Sequence, residues 1–425
     1  MMTESIKRVR IAAVVLIAAG AAGCDDFLSV QDPGRFTDEA LNAPSALNAV
    51  ANGVEGDMWA VYDDFATFGG LMTDELQHTG TWGQWEDMDQ GRIGPAIGTD
   101  NNVHRNLMWA RTAAQKAQER FATVMADSAE RTELMARVVA TEAWLNLLMG
   151  MHACESPREA LGEPVPDSEM FNLSIPIFTR AITIAKAANS ADYERFATAG
   201  RARANLFAGN LDAALADAQT IPDTWVYTAK FSETAISNSI VSFAHHTRLK
   251  AGGLDPINQP KVDQQANAMR DPFSNQVDQR LVFTRQGRGA DNVKNFFNQE
   301  KFKALSDDVR MASGWEMRLI EAEVQMKKGN LSGAVEAINR VRANAGLTPH
   351  NAAGATAAQV QQYLLWERFA QLYLEGHRMH DLARFNQVTA VMGPGRAVKF
   401  AMDTNELMFN PHVGGNTSGR CPAKS

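Results

Sequence analysis

Asp74, Trp82, Gln84 and Trp85 share one short polar stretch, Asp74-Glu-Leu-Gln-His-Thr-Gly-Thr-Trp82-Gly-Gln-Trp85-Glu-Asp87. Two indoles three residues apart, separated by Gly83 and Gln84, offer flat faces that can stack on the apolar faces of sugar rings. The nearby amide and carboxylates can hydrogen-bond hydroxyls, as the few polar groups of a binding pocket do. The chemistry on offer is recognition. Tryptophan is also mostly buried in folded proteins, so either ring can instead fill a small core under the loop. Trp225 and Tyr227, after Pro222-Asp223, form a second aromatic pair. Arg288 and Asn292 lie in a third polar stretch.

Catalytic constellations are missing from the sequence. It holds no Gly-x4-Gly-Lys-Ser/Thr loop, no His-Glu-x-x-His and no Gly-x-Ser-x-Gly elbow. Carboxylates are abundant, and a glycosidase needs only two at the right separation, but nothing singles out a pair. His377 and His380 are three apart without an intervening Glu, and His245-His246 lacks a Cys or carboxylate at ligand spacing. No metal, cofactor or catalytic residue is expected, and the chain reads as a non-enzyme. Its net charge of -8 carries no basic run of the kind nucleic-acid binders use.

The elements that must position these residues are mostly helical. Apolar side chains recur at helical spacing over Arg105 to Ala126, Arg131 to Met151 and Ser168 to Ala188, with Ser168 placed to cap the third. Ala199 to Ala218 and Trp315 to Ile338 echo each other: a helix, then Gly-Asn-Leu at 209–211 or 329–331, then a second helix with small residues facing back. These are helical hairpins of tetratricopeptide type. Near the C-terminus, Trp366, Phe369, Ala370, Tyr373 and Leu374 mark one more apolar face. Gly376 is placed to end that helix, and Asp381 to Phe385 to restart one. Asp57 to Asn102, Ile221 to Lys261 and Ala268 to Lys301 read as long irregular loops, which in a compact protein usually carry function. The predicted class is all-α, a short superhelix of helix hairpins decorated with loops.

The N-terminus pairs a basic segment, Lys7, Arg8 and Arg10, with an apolar run from Ile11 to Ala19 that is too short to span a bilayer. Gly20-Ala-Ala-Gly-Cys24 follows. Small residues directly before Cys24 resemble a bacterial lipobox, so residues 1–23 read as a lipoprotein signal peptide and Cys24 as the lipidated residue. Its removal leaves a mature chain near -10. Residues 24–38 read as a lipid-anchored tether and 39–425 as one domain. The two other cysteines, Cys154 and Cys421, are expected to form a disulfide outside the inner membrane.

The stretch from Glu367 to Arg384 resembles the signature of the SusD/RagB family. Glu367, Arg368, Leu372, Glu375, Gly376, Arg378, Asp381, Leu382 and Arg384 match, and Gln371 stands where Glu is usual. Thr73-Asp-Glu75, Trp109-Ala-Arg111, Gly162-Glu-Pro-Val-Pro166 and Cys24 with Asp25 and Asp26 add to the likeness in chain order. The resemblance implies a surface lipoprotein of the outer membrane, facing outward, with four tetratricopeptide-like helix pairs. Such a protein binds an oligosaccharide or a peptide. It delivers that nutrient to a SusC-like TonB-dependent β-barrel transporter, over which it closes as a lid. In this family the C-terminal signature is structural, and the region after Asp74-Glu75 often lines the ligand site. Two other readings fit the same residues: a tetratricopeptide lipoprotein scaffolding an envelope complex, and a surface-anchored glycan hydrolase.

Overall fold

The structure, a computed structural model, describes residues 37–93, 98–159, 161–397 and 399–413 of the 425-residue chain. The signal peptide, Cys24 and Cys421 lie outside the described residues. The chain divides into two compact units at residue 46. Within the first, residues 37–46 form two 3-10 turns, Ala40–Asn42 and Pro44–Ala46. Residues 39–46, counted with the domain in the sequence reading, fall in this first unit.

The second unit carries helices α1 (Leu47–Leu71), α2 (Gly83–Asp89), α3 (Gly98–Met125), α4 (Glu133–His152), α5 (Asp167–Ala187), α6 (Ala191–Ala208) and α7 (Leu211–Thr220). After α8 (Ser239–Ala244) come α9 (Gly314–Lys327), α10 (Leu331–Asn344), α11 (Ala357–Gln371), α12 (Arg378–Arg384), α13 (Val388–Met392) and α14 (Thr404–Phe409). The mainly helical class is as expected. Both Gly-Asn-Leu turns join helices, α6 to α7 and α9 to α10, with Gly209 and Gly329 at φ of 84° and 79°. Asn330 caps α10 by accepting from the Gly333 N–H.

α4 sits at the centre. Its buried residues run around the whole circumference, from Met135 through Trp144 to His152, as expected of a helix enclosed by others. Trp144 stacks on Phe196 of α6 with ring centroids 5.0 Å apart, and its indole N–H donates to the Phe196 carbonyl at 3.2 Å. A separate core cluster joins α9, α10 and α11 through Leu319, Ile338, Val341 and Leu364.

The loop readings and one cap reading need correction. Ile221 to Lys261, read as a loop, holds α8 and two short strands, Val226–Ala229 and Gly252–Leu254. The stretch from Asp57 opens with fifteen residues of α1. Leu47, Ala51, Val54, Met58, Val61 and Phe65 recur at helical spacing and are buried, a signal visible in the sequence. Ala268 to Lys301 holds most of a four-stranded antiparallel sheet, not a loop. It is formed by β6 (Val262–Asp263), β7 (Ala268–Arg270), β8 (Val277–Arg288) and β9 (Asn295–Gln299), in that order. Its alternation is masked because Asp278, Leu281 and Phe283 are all buried, the acid among the apolar residues. Asp278 is tolerated there because Arg280 pairs with it at 2.7 Å and with Glu367 of α11 at 2.7 Å. Finally, α5 starts at Asp167 with Pro166 at the N-cap, and Ser168 instead donates its N–H to Asp167 Oδ1.

Three two-stranded ladders complete the framework. β1 (Leu76–His78) pairs with β5 (Gly252–Leu254), β2 (Glu155–Pro157) with β3 (Pro164–Pro166), and β4 (Val226–Ala229) with β10 (Val309–Ser313). The last ladder leads into α9 at Gly314, whose N–H donates to the Trp225 carbonyl at 2.8 Å. A Cβ on Gly314 would stand 2.0 Å from the Pro222 carbonyl oxygen and 2.6 Å from Asp223 Cα. Those obstructing atoms are backbone and cannot rotate away. Gly314→Ala is therefore expected to destabilise the fold by about 1–3 kcal/mol. The check is the urea midpoint, and an unchanged midpoint would show that the 222–225 turn yields freely.

Candidate ligand-binding site

The C-terminal signature is an ion-pair junction. α11 ends at Gln371, three residues before the apolar face predicted it to end, and the backbone turns through positive φ at Leu374 (53°) and Gly376 (72°) before α12. Arg378 and Asp381 pair there with charged side chains and not with loose backbone groups. Arg378 makes a two-pronged pair with Asp74 at 2.6 and 2.8 Å, and Asp381 accepts from Arg368 at 2.7 Å and from Arg384 at 2.8 Å. Burial by itself would raise the Asp74 and Asp381 carboxyls. Arg378 reverses this at Asp74, and Arg368 with Arg384 at Asp381, so both stand below the ordinary value. Asp74 is thus committed to the junction, away from the indoles. The pair edges a cavity of about 270 Å3 bounded also by Lys261, Phe273 and Trp366.

Glu75 turns the other way. Its Oε1 accepts from the Leu374 N–H at 2.7 Å, while Oε2 is buried without a hydrogen-bond partner. Burial raises its pKa to about 8, against a lowering by that N–H. The folded value exceeds the ordinary 4.5, so the neutral acid stabilises the fold fully below pH 4.5, and that stability is lost as pH rises toward 8. Glu75→Gln should then show a higher thermal midpoint than the parent at pH 8–9 and no gain below pH 5. Equal differences at both pH values would refute the assignment.

Trp82, Gln84 and Trp85 stay together. β1 ends at His78, and α2 begins directly after Trp82, so the indoles are held by a short helix instead of a free loop. Trp82 is 43% exposed, and its ring meets Trp85 edge-on with centroids 4.6 Å apart. Trp85 is half-buried and anchored in turn on Phe243 of α8 at 4.3 Å and on Phe68 of α1 at 5.4 Å, again edge-on. His78 lies parallel to Phe243 and accepts the Trp82 N–H through Nε2 at 3.2 Å. Burial holds the His78 pKa below its ordinary value, so the ring is neutral and can accept that bond. One indole is therefore open to solvent and the other is its rigid support.

Gln84 is exposed on the first turn of α2. Lys294 donates to Glu86 Oε2 at 2.6 Å and to the His78 carbonyl at 2.8 Å. Gln90 donates to Glu86 Oε1 at 2.7 Å. The turn carrying Arg288 and Asn292 is tied alongside, since the Asp291 N–H donates to the Thr79 carbonyl at 2.9 Å. No local pattern points to Phe68, Phe243 or Lys294, because only the tertiary fold brings them to the indoles.

Trp225 and Tyr227 lie elsewhere, on and before β4. Tyr227 stacks on Phe196 at 3.6 Å, and its hydroxyl donates to Glu55, which also receives Tyr193 at 3.0 Å and pairs with Arg137. Trp225 packs half-buried against the core. His377 and His380 are buried, the latter between Phe171 and Phe207, and burial holds both well below the ordinary pKa. No cluster of three metal-ligating side chains occurs among the described residues. Cys154 is disulfide-bonded, and its expected partner, Cys421, lies outside the described residues.

The helical scaffold thus holds an aromatic surface on short elements. Residues 309–416, from β10 through the signature, match the SusD family model. The fold agrees over most of the chain. A SusD superfamily protein from Bacteroides thetaiotaomicron VPI-5482 superposes with a TM-score of 0.65 at 12% identity, covering 86% of this chain and 96% of that one. A SusD-like protein from Bacteroides fragilis NCTC 9343 gives 0.66 at 11%, covering 84% and 89%. A SusD-like carbohydrate binding protein from Bacteroides vulgatus ATCC 8482 gives 0.64 at 12%, covering 81% and 83%. The curated proteins yield no match. The chain thus matches the SusD family model over residues 309–416 and shares the fold of SusD-like structures over most of its length.

Proposed function

We propose that this chain binds an oligosaccharide at the Trp82–Trp85 surface. The observation that carries the reading is the exposed indole of Trp82 braced edge-on by Trp85, which is itself locked against Phe68 and Phe243. A rigid, exposed aromatic face loses little freedom on binding and suits the flat apolar side of a pyranose. Gln84, Glu86, Gln90 and Lys294 supply hydroxyl partners around it. A structural neighbour described as a carbohydrate binding protein supports the ligand class, and peptide remains the second candidate.

In the same proposal, the signal peptide exports the chain and the lipid on Cys24 tethers it to the outer membrane, facing outward. No described helix is long and apolar enough to cross a membrane. The bound glycan passes to a SusC-like TonB-dependent β-barrel transporter over which the chain closes as a lid, and the chain itself performs no chemistry. Isothermal titration against a panel of linear and branched oligosaccharides and peptides tests the site. Trp82→Ala with Trp85→Ala should weaken the tightest glycan by tenfold or more, on the order of 1.4 kcal/mol. Unchanged affinity in a folded double variant would remove the site. Co-purification of a large β-barrel protein with the chain tests the partner, and its loss in Cys24→Ser tests the anchor.

A further inference from the structure

A second strongly exposed indole is remote in sequence from the Trp82 platform. Trp109, midway along α3, is 64% exposed, with the Arg105 guanidinium 5.0 Å from its ring centroid. Trp109 forms one wall of a cavity of about 190 Å3 whose other walls include His104, Thr112, Asp403, Asn405 and Glu406. Leu161, also at its edge, is 49% exposed, and Met408 and Phe409 at the end of α14 are 54% and 67% exposed. Trp109 and Leu161 thus leave apolar surface open at one cavity, as contact surfaces do.

The polar lining has a definite hydrogen-bond character. His104 is buried, and its Nδ1 accepts the Asp403 N–H at 3.2 Å. Burial, with the Arg111 charge adding to it, lowers the His104 pKa to about 4, so the ring is neutral at physiological pH. A neutral imidazole that accepts at Nδ1 carries its proton on Nε2. That Nε2–H has no hydrogen-bond partner. A buried donor without an acceptor costs about 1–3 kcal/mol unless a ligand or water meets it. The same cavity is lined by acceptors in fixed positions. Asp403 is held by the Asn405 N–H at 3.2 Å, and Glu406 by Asn410 Nδ2 at 2.8 Å. Asn410 also donates to the Gly162 carbonyl at 2.7 Å, which braces α14 against the 161–162 segment.

We infer that the Trp109 cavity is a second binding site, taking a single sugar ring through indole stacking with its hydroxyls held by His104, Asp403 and Glu406. A donor, two carboxylates, an amide and an aromatic face around a small volume match a polyol with one apolar side. The inference shares a ligand class with the Trp82 proposal but rests on separate residues, so the two can fail independently.

The test is saturation-transfer NMR on the full chain with the methyl glycosides of glucose, galactose and mannose, using glycerol as the control polyol. At least one glycoside should show transfer that survives Trp82→Ala/Trp85→Ala and falls about tenfold on adding Trp109→Ala. Trp109→Phe should retain part of it. Since Trp109 is 64% exposed, its replacement should leave the thermal midpoint unchanged. Loss on Trp109→Ala alone, with no effect of the Trp82/Trp85 variant, supports this site and counts against the other. Transfer unaffected by Trp109→Ala, no transfer to any chain, or transfer equal to glycerol overturns the inference.

Discussion

Asp381→Ala is expected to destabilise the chain by about 3–5 kcal/mol, the cost of stripping one partner from a buried ion pair. Arg368 is 2% exposed, and Asp381 is the carboxylate it pairs with, at 2.7 Å. Arg384 keeps Glu323 as a second acid, so the damage concentrates on Arg368. The loss should appear as a lower urea midpoint with little change in slope, since the surface exposed on unfolding is nearly the same. A paired replacement, Arg368→Met with Asp381→Leu, removes both charges and should recover much of the loss, because well-packed apolar side chains can substitute for a buried pair. If Asp381→Ala stays within about 1 kcal/mol of the parent, or the paired variant is no better, the junction is not the stabilising element described here. The acid limb should report the same group. Its folded pKa stands below the ordinary carboxylate value, so the stability it contributes is present at neutral pH and lost on acidification.

The two indoles at the proposed glycan surface should separate when changed singly. Trp82 is 43% exposed and packs mainly on its neighbour's edge, so Trp82→Ala should cost affinity with little cost in stability. Trp85 touches Phe68, Phe243 and Trp82 at once. Trp85→Ala should lower both affinity and stability. The stability loss should approach the lower end of about 3–5 kcal/mol seen for buried Trp, because this ring is only half-buried. Trp85→Phe should restore most of the stability, since an aromatic edge remains against Phe243. Calorimetric titration and thermal unfolding on the three variants distinguish the roles. If Trp82→Ala destabilises as much as Trp85→Ala, both rings are core and the surface is not preorganised for a ligand.

The C-terminal signature shows how far local pattern reached. The residue types from Glu367 to Arg384 identified the scaffold, and the stop-and-restart of the helix followed from Gly376 and the apolar spacing. The partners of those residues did not follow. Asp74 lies 304 positions from Arg378, and Arg280 lies 87 from Glu367, so their pairing is a product of the fold. The same limit split the six candidate ligand residues among three places. Trp82, Gln84 and Trp85 are local to one another and stayed together, while Asp74 was drawn inward by a cation that no sequence window contains. Tyr227 was claimed by Phe196 and Glu55.

Periodicity read well where a turn signal punctuated it. The paired helices around Gly209 and Gly329 are of that kind, although Arg203 and Glu316 are buried there as a pair at 2.7 Å. It failed in β8, whose inward Asp278, paired with Arg280, breaks the alternation that would reveal a strand. The sequence by itself determined the helical scaffold, its hairpin turns, the family likeness and the existence of an aromatic pair, since these depend on residues within a few turns of each other. Only the tertiary structure decided which aromatic faces water, which acid is spent on structure, and that Trp109 overlooks a polar cavity. Burial and pairing depend on segments hundreds of residues apart, and no local spacing encodes them.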